Sequence, residues 1–113
     1  MLGRLSARSV LWVPALWWYE LANALTMAQR QRRLAAAEAI RALELYRTLP
    51  IETDGHLDAD AAGRWLTLAR EGGLSAYDAA YLDLAQRRGL RLATLDRKLA
   101  RAARQMGVGI VRV

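Results

Sequence analysis

Residues 75–96 read SAYDAAYLDLAQRRGLRLATLD. Ser75 has the chemistry of a helix N-cap, and Asp78, three residues on, completes a capping box. The pattern predicts a helix to about Arg88, closed by Gly89 in the left-handed conformation. Leu90 to Leu95 is a short apolar run, read as a strand, and Asp96 ends it. A second helical pattern follows at once, with Leu99, Ala102, Ala103 and Met106 on one face and Gly107 after it. Asp96 therefore stands where a strand hands over to a helix, and Asp78 stands in the first turn of the preceding helix. In a parallel α/β sheet both places can face the crevice at the carboxyl ends of the strands, where ligands bind. Each acid also has a purely structural reading, as a cap for backbone N–H groups.

The longer stretch LSAYDAAYLDLAQRRGLRLATLDRKLARAARQMGV, and YDAAYL and ATLD within it, resembles the C-terminal half of the PIN domain, in particular the VapC toxins of bacterial toxin–antitoxin pairs. The resemblance implies a three-layer α/β/α sandwich with a small parallel sheet. It also implies metal-dependent endonucleolytic cleavage of RNA, with Mg²⁺ or Mn²⁺ as cofactor and a cognate antitoxin as partner.

Composition is compatible with this. The 113 residues make one domain, 1–113, long enough to bury a core without disulfides. Hydrophobic residues make up 54%, with Ala and Leu far ahead of Val and Ile, so helices should dominate and the sheet should be small. There is no cysteine, which excludes a disulfide framework and thiolate metal sites and agrees with a cytoplasmic protein. A net charge of +6 points to nucleic acid or an acidic partner. Arg4 and Arg8 before the run Val10 to Tyr19, with Ala22-Asn23-Ala24 beyond, imitate a signal peptide. Pro14 interrupts that run and Glu20 follows it, and ten residues fall far short of the roughly 20 that span a bilayer. No membrane association is expected.

Met1 to Ser9 reads as a helix tail or loop. Val10 to Val13 is a strand candidate, and Pro14 fits the first position of a helix carrying Trp17, Leu21, Ala24, Leu25 and Ala28 inward. Ala35 to Leu49 is a second helix, with Ala36, Ile40 and Leu43 inward and Pro50 as its stop. Ile51 to Thr53 is a strand candidate closed by Asp54-Gly55. Leu57 to Glu71 is a third helix, with Ala61, Trp65 and Leu68 inward. Val108 to Val113 is a last, edge strand.

The segment VPALWWYELANAL resembles the VapC stretch in which a helix acid helps hold the metal, and Glu20 matches that acid. Without a partner, Glu20 reads as a stripe-edge residue reaching water. Glu20, Asp78 and Asp96 are thus the expected metal-binding and catalytic acids. Clustered carboxylates repel, and a hard divalent cation relieves that repulsion. Thr94 could add a hydroxyl, or simply favour the strand. Asp83 lies five residues from Asp78 on the same helix and is left outside the site. Seven basic residues surround Asp96 between Arg87 and Arg104. Arg97, Lys98 and Arg101 are the candidates for contacting RNA phosphates, and Arg87 and Arg88 read as helix C-terminal charges.

The chain departs from the family in one respect. PIN domains begin with a central strand of the type V-x-D-x-S, whose aspartate is a main metal ligand, and Met1 to Ser9 contains neither. The expectation is a PIN-like sandwich without that strand, from a misassigned start or a shortened copy. Its metal site would be one ligand short and its activity weak or absent. A degenerate PIN domain that binds antitoxin or RNA without catalysis is the alternative. A subunit that dimerises through its Trp-rich first helix is a third reading.

Overall fold

A computed structural model describes residues 10–111; the reading of Met1 to Ser9 falls outside them. The order is β1 (Leu11–Pro14), α1 (Leu16–Arg30), α2 (Ala36–Arg47), β2 (Ile51–Asp54), α3 (Ala59–Gly72), α4 (Ala76–Arg88), β3 (Leu92–Ala93), α5 (Arg97–Gln105) and β4 (Ile110–Val111). This is the helix-rich α/β fold that the composition predicts. Among the described residues no helix is long and apolar enough to cross a membrane.

The strands form two parallel pairs rather than one sheet. β1 pairs with β2 in the register Leu11 to Ile51 through Pro14 to Asp54, and β3 pairs with β4, Leu92 to Ile110 and Ala93 to Val111. Among the described residues no strand hydrogen-bonds the two pairs together. β3 is shorter than its apolar run Leu90 to Leu95. Leu95 is 80% exposed, and the Thr94 hydroxyl accepts the Asp96 N–H at 3.0 Å, which turns the chain out of the strand.

α4 is the axis of the molecule. Its sequence alternates small and large apolar residues, so Ala79, Ala80, Leu82, Leu84 and Ala85 are all buried. Such a helix packs on several sides at once, here against α3, β1 and β3. Leu82 and Ala85 meet Leu92, Leu99, Ala102, Ala103 and Val108 in the main core. Truncating Leu82, fully buried, to Ala would cost about 2–5 kcal/mol. Ser75 caps α4 by accepting the Asp78 N–H at 3.1 Å, and Gly89 closes it at φ 64°. Gly73 closes α3 in the same way at φ 62°.

α1 and α2 form a hairpin beside this core. The Trp18 indole N–H donates to the Thr53 hydroxyl at 2.8 Å, fixing α1 to β2. Trp17 meets Tyr46 edge-to-face at 5.6 Å and joins α1 to α2. Three details differ from the sequence reading. Ala24, expected inward on α1, is exposed. Pro14 ends β1 rather than starting α1, where its missing N–H costs no ladder bond. On α2 the inward stripe is Ala39, Leu43 and Tyr46; Ile40 is 60% exposed. Ala39 and Ile40 are adjacent apolar residues, and periodicity alone cannot choose between stripes one residue apart.

Candidate functional site

Of the three expected acids, Glu20 stands on α1 and Asp78 on α4. Glu20 lies one turn into α1, on the exposed side, beside a groove of about 280 Å³ shared with Tyr19, Asn23, Ala24 and Tyr77. Tyr81, one turn after Asp78 on α4, donates its hydroxyl to Glu20 Oε1 at 3.4 Å. Burial pushes the Tyr81 phenol well above its ordinary value, and the negative charges of Glu20 and then Asp78 push it further. Tyr81 therefore stays protonated, a neutral donor to the carboxylate of Glu20, 61 residues earlier in the chain. The expected capping box is half formed. Ser75 accepts from Asp78, but among the described residues the Asp78 carboxylate has no hydrogen-bond partner, so it is available to a ligand.

Asp96 occupies a different position. Its Oδ1 accepts Lys98 N at 2.8 Å and Leu99 N at 3.1 Å, which makes it the N-cap of α5. Thr94 is likewise used locally, on the Asp96 N–H. Among the described residues no three acids, histidines or cysteines lie close enough to hold a metal together. The structure thus ties Glu20 to α4 through Tyr81, leaves the Asp78 carboxylate without a hydrogen-bond partner among the described residues, and engages Asp96 at a helix start.

The basic rim divides as well. Arg97 and Arg101 line a cleft of about 470 Å³ with Thr94, Asp96 and Arg104. The Lys98 stem instead passes Gly73 on α3.

The sequence reading missed a second charged cluster. Asp54, at the end of β2, and Asp83, on α4, are 1% and 2% exposed. Arg87 bridges them: its Nη2 and Nη1 donate to Asp54, and its Nε donates to Asp83 Oδ2 at 3.0 Å. Arg88 adds a bond to Asp54 at 3.1 Å and lies 3.7 Å over the Trp12 ring. Asp83 also accepts from Arg64 Nε at 3.0 Å and the Trp65 indole at 3.1 Å. Burial alone would raise the Asp54 pKa. The hydrogen bonds from Arg87 and Arg88 outweigh it and hold the carboxyl below its ordinary value. Arg87 and Arg88 are thus the ties between β2 and α4, not simple helix-end charges. Only the i,i+4 spacing of Asp83 and Arg87 signalled this in the sequence.

A profile of the PIN domain matches residues 2–105. Ribonuclease VapC3 of Mycobacterium tuberculosis, in strains CDC 1551 and H37Rv, is 38% identical over 96 residues, which cover 85% of this chain and 67% of that protein. Ribonuclease VapC3 of Pyrobaculum aerophilum is 37% identical over 86 residues, covering 73% of this chain and 63% of its own length. The crystal structure of PAE2754 from Pyrobaculum aerophilum superposes with a TM-score of 0.71 at 31% identity, covering 91% of this chain and 70% of that one.

Proposed function

The chain belongs to the PIN-domain family, and from that membership we propose that it is a VapC-type toxin ribonuclease that cleaves RNA phosphodiester bonds. The observation that supports carrying the reading to residues is the hydrogen bond from Tyr81 to Glu20, which ties α1 to α4 one turn from Asp78. Two carboxylates, a hydroxyl and no thiolate make an oxygen donor set of the kind that Mg²⁺ or Mn²⁺ takes, and Mg²⁺ commonly keeps several waters beside one or two carboxylates. Glu20 and Asp78 would hold the ion, and Tyr81 would orient Glu20 through its hydroxyl. When bound, such an ion activates water and stabilises the displacement at phosphorus. Asp96 is the third acid proposed for catalysis. It would join the site by giving up part of its cap on α5. Arg97, Lys98 and Arg101 are the proposed RNA contacts, with Arg97 and Arg101 better placed along one cleft.

A cognate antitoxin, a homodimer and a cytoplasmic setting complete the proposal. Among the described residues no three acids lie close enough to hold a metal together, and such chemistry depends on close positioning of the reacting groups. The 113-residue chain should therefore cleave RNA weakly or not at all. The same observation favours the second reading, a PIN domain that binds antitoxin or RNA without cutting.

The test is cleavage of a mixed RNA pool with Mn²⁺ by the wild type, Asp78→Asn and Asp96→Ala. Weak, Mn²⁺-dependent cleavage that is lost in Asp78→Asn supports the enzyme. RNA binding with no cleavage supports the binding module. Robust cleavage that survives Asp78→Asn overturns the assignment of the site.

A further inference from the structure

The chain has four tryptophans and four tyrosines, and of these only Tyr19 and Tyr77 are exposed, at 79% and 60%. Both stand at the proposed acids. Tyr19 immediately precedes Glu20 on α1, Tyr77 immediately precedes Asp78 on α4, and the two line one groove of about 280 Å³. Glu20, Asn23 and Ala24 complete the lining. Tyr19 and Asn23 lie four residues apart on α1 and so are neighbours on its surface, as are Glu20 and Ala24. Apart from Ala24, every lining side chain carries a hydrogen-bonding group. An aliphatic peptide segment would leave those groups unpaired. A flat ring with a polar edge suits them, since proteins hold nucleobases by stacking on aromatic faces and by hydrogen bonds to the base edges. Charge decides which part of a nucleotide enters. The Glu20 carboxylate repels phosphate, so the uncharged base faces the groove. The net charge of +6 and the arginines of the α5 cleft attract the backbone instead.

We propose that Tyr19 and Tyr77 hold an unpaired base of the RNA beside the reacting phosphate, and that Asn23 reads the edge of that base and favours adenine. An asparagine amide pairs bidentately with the adjacent donor and acceptor of adenine. Stacking supplies affinity for any base, and the amide supplies the preference. The two tyrosines and Asn23 are positioning and specificity residues; none of them touches the reacting atoms. The proposal rests on the RNA reading of the site. Its test measures binding in EDTA, where metal-dependent cleavage does not occur, so the base site and the nuclease can fail separately.

The probe is a single-stranded RNA of about five nucleotides, uridine throughout except for adenine at the centre. One control carries uracil at the centre, and a second carries an abasic sugar there, which keeps every phosphate and removes only the base. Affinities at low salt and the ring-proton resonances of Tyr19 and Tyr77 are followed on the full chain. The abasic RNA should bind at least fivefold more weakly than the adenine RNA, and both tyrosine rings should shift with adenine RNA and not with abasic RNA. The double variant Tyr19→Leu/Tyr77→Leu should bind the two RNAs equally, and Tyr19→Phe/Tyr77→Phe should restore the difference. Asn23→Ala should lower adenine RNA to the affinity of uracil RNA and leave both above the abasic one. These side chains are exposed, so each variant should melt within a few degrees of wild type. Equal binding of adenine and abasic RNA by the wild type would overturn the proposal, as would a difference that survives the double leucine variant. Absence of all RNA binding would overturn it too, leaving the nuclease to the cleavage assay. Ring shifts that grow with protein concentration without RNA would make a second copy the occupant and overturn it as well.

Discussion

Replacing Arg87 with Met should be among the most damaging single changes in the chain. Methionine keeps most of the aliphatic stem and removes the fork that ties Asp54 to Asp83. Both carboxylates are almost fully buried, so they cannot turn to water. Removing one partner of a buried ion pair costs about 3–5 kcal/mol. That figure is discounted here, because the Arg87 side chain is itself 25% exposed, Arg88 remains on Asp54, and Arg64 and Trp65 remain on Asp83. About 2–3 kcal/mol is expected at pH 7, or a fall in Tm of roughly 10–20 °C for a domain of this size. The pH dependence gives a second handle. Asp54 has a folded pKa below its unfolded value, so the stability it contributes is present above the ordinary carboxylate range and is lost as pH falls through the depressed value. In Arg87→Met burial weighs more, Asp54 protonates nearer the ordinary range, and the difference from wild type shrinks toward pH 3. Urea unfolding at pH 7 and pH 3 measures both effects. The double variant Arg87→Met/Asp54→Asn should be more stable than the sum of its parts by about 1 kcal/mol or more. A wild-type-like Arg87→Met at pH 7, or a loss equal at both pH values, would refute the reasoning.

Two smaller changes separate local backbone effects from chemistry. Asp96→Ala removes the acceptor of two N–H groups at the start of α5 and should cost about 1 kcal/mol in chemical denaturation, whereas Asp96→Asn, an equally good cap, should stay within a few tenths. Gly89→Ala meets no atom within 4 Å but must hold φ near +64°, so it should cost about 1–2 kcal/mol in the same assay from backbone strain alone.

Local rules made much of this fold legible. Ser75, Gly73, Gly89 and Asp96 each act at the helix end where their chemistry predicts, because capping depends on a few neighbouring residues. What lay beyond reach depends on packing. Asp83, left outside the site because it lies five residues from Asp78, is 2% exposed, because α3 covers it and supplies Arg64 and Trp65 from 19 and 18 residues away. Asp54 reads as part of a turn and becomes the buried end of β2. The candidate site divides along the same line. The resemblance to VapC toxins pointed to Glu20 and Asp78, and the fold ties Glu20 to Tyr81, on the helix that carries Asp78. Nothing in the sequence neighbourhood of Tyr81 reveals an acid 61 positions earlier.

The assignment of Glu20 and Asp78 as cation ligands is tested most directly by thermal melting with and without Mn²⁺, in wild type, Glu20→Gln and Asp78→Asn. Neither substitution removes a hydrogen bond that holds the fold together, and each should leave the metal-free protein near wild-type stability, within about 1 kcal/mol for the lost dipole interaction at Asp78. A cation held by the two carboxylates stabilises the folded state by mass action. Mn²⁺ should therefore raise the wild-type melting temperature and leave those of both variants unchanged. An equal rise in all three proteins would contradict the site.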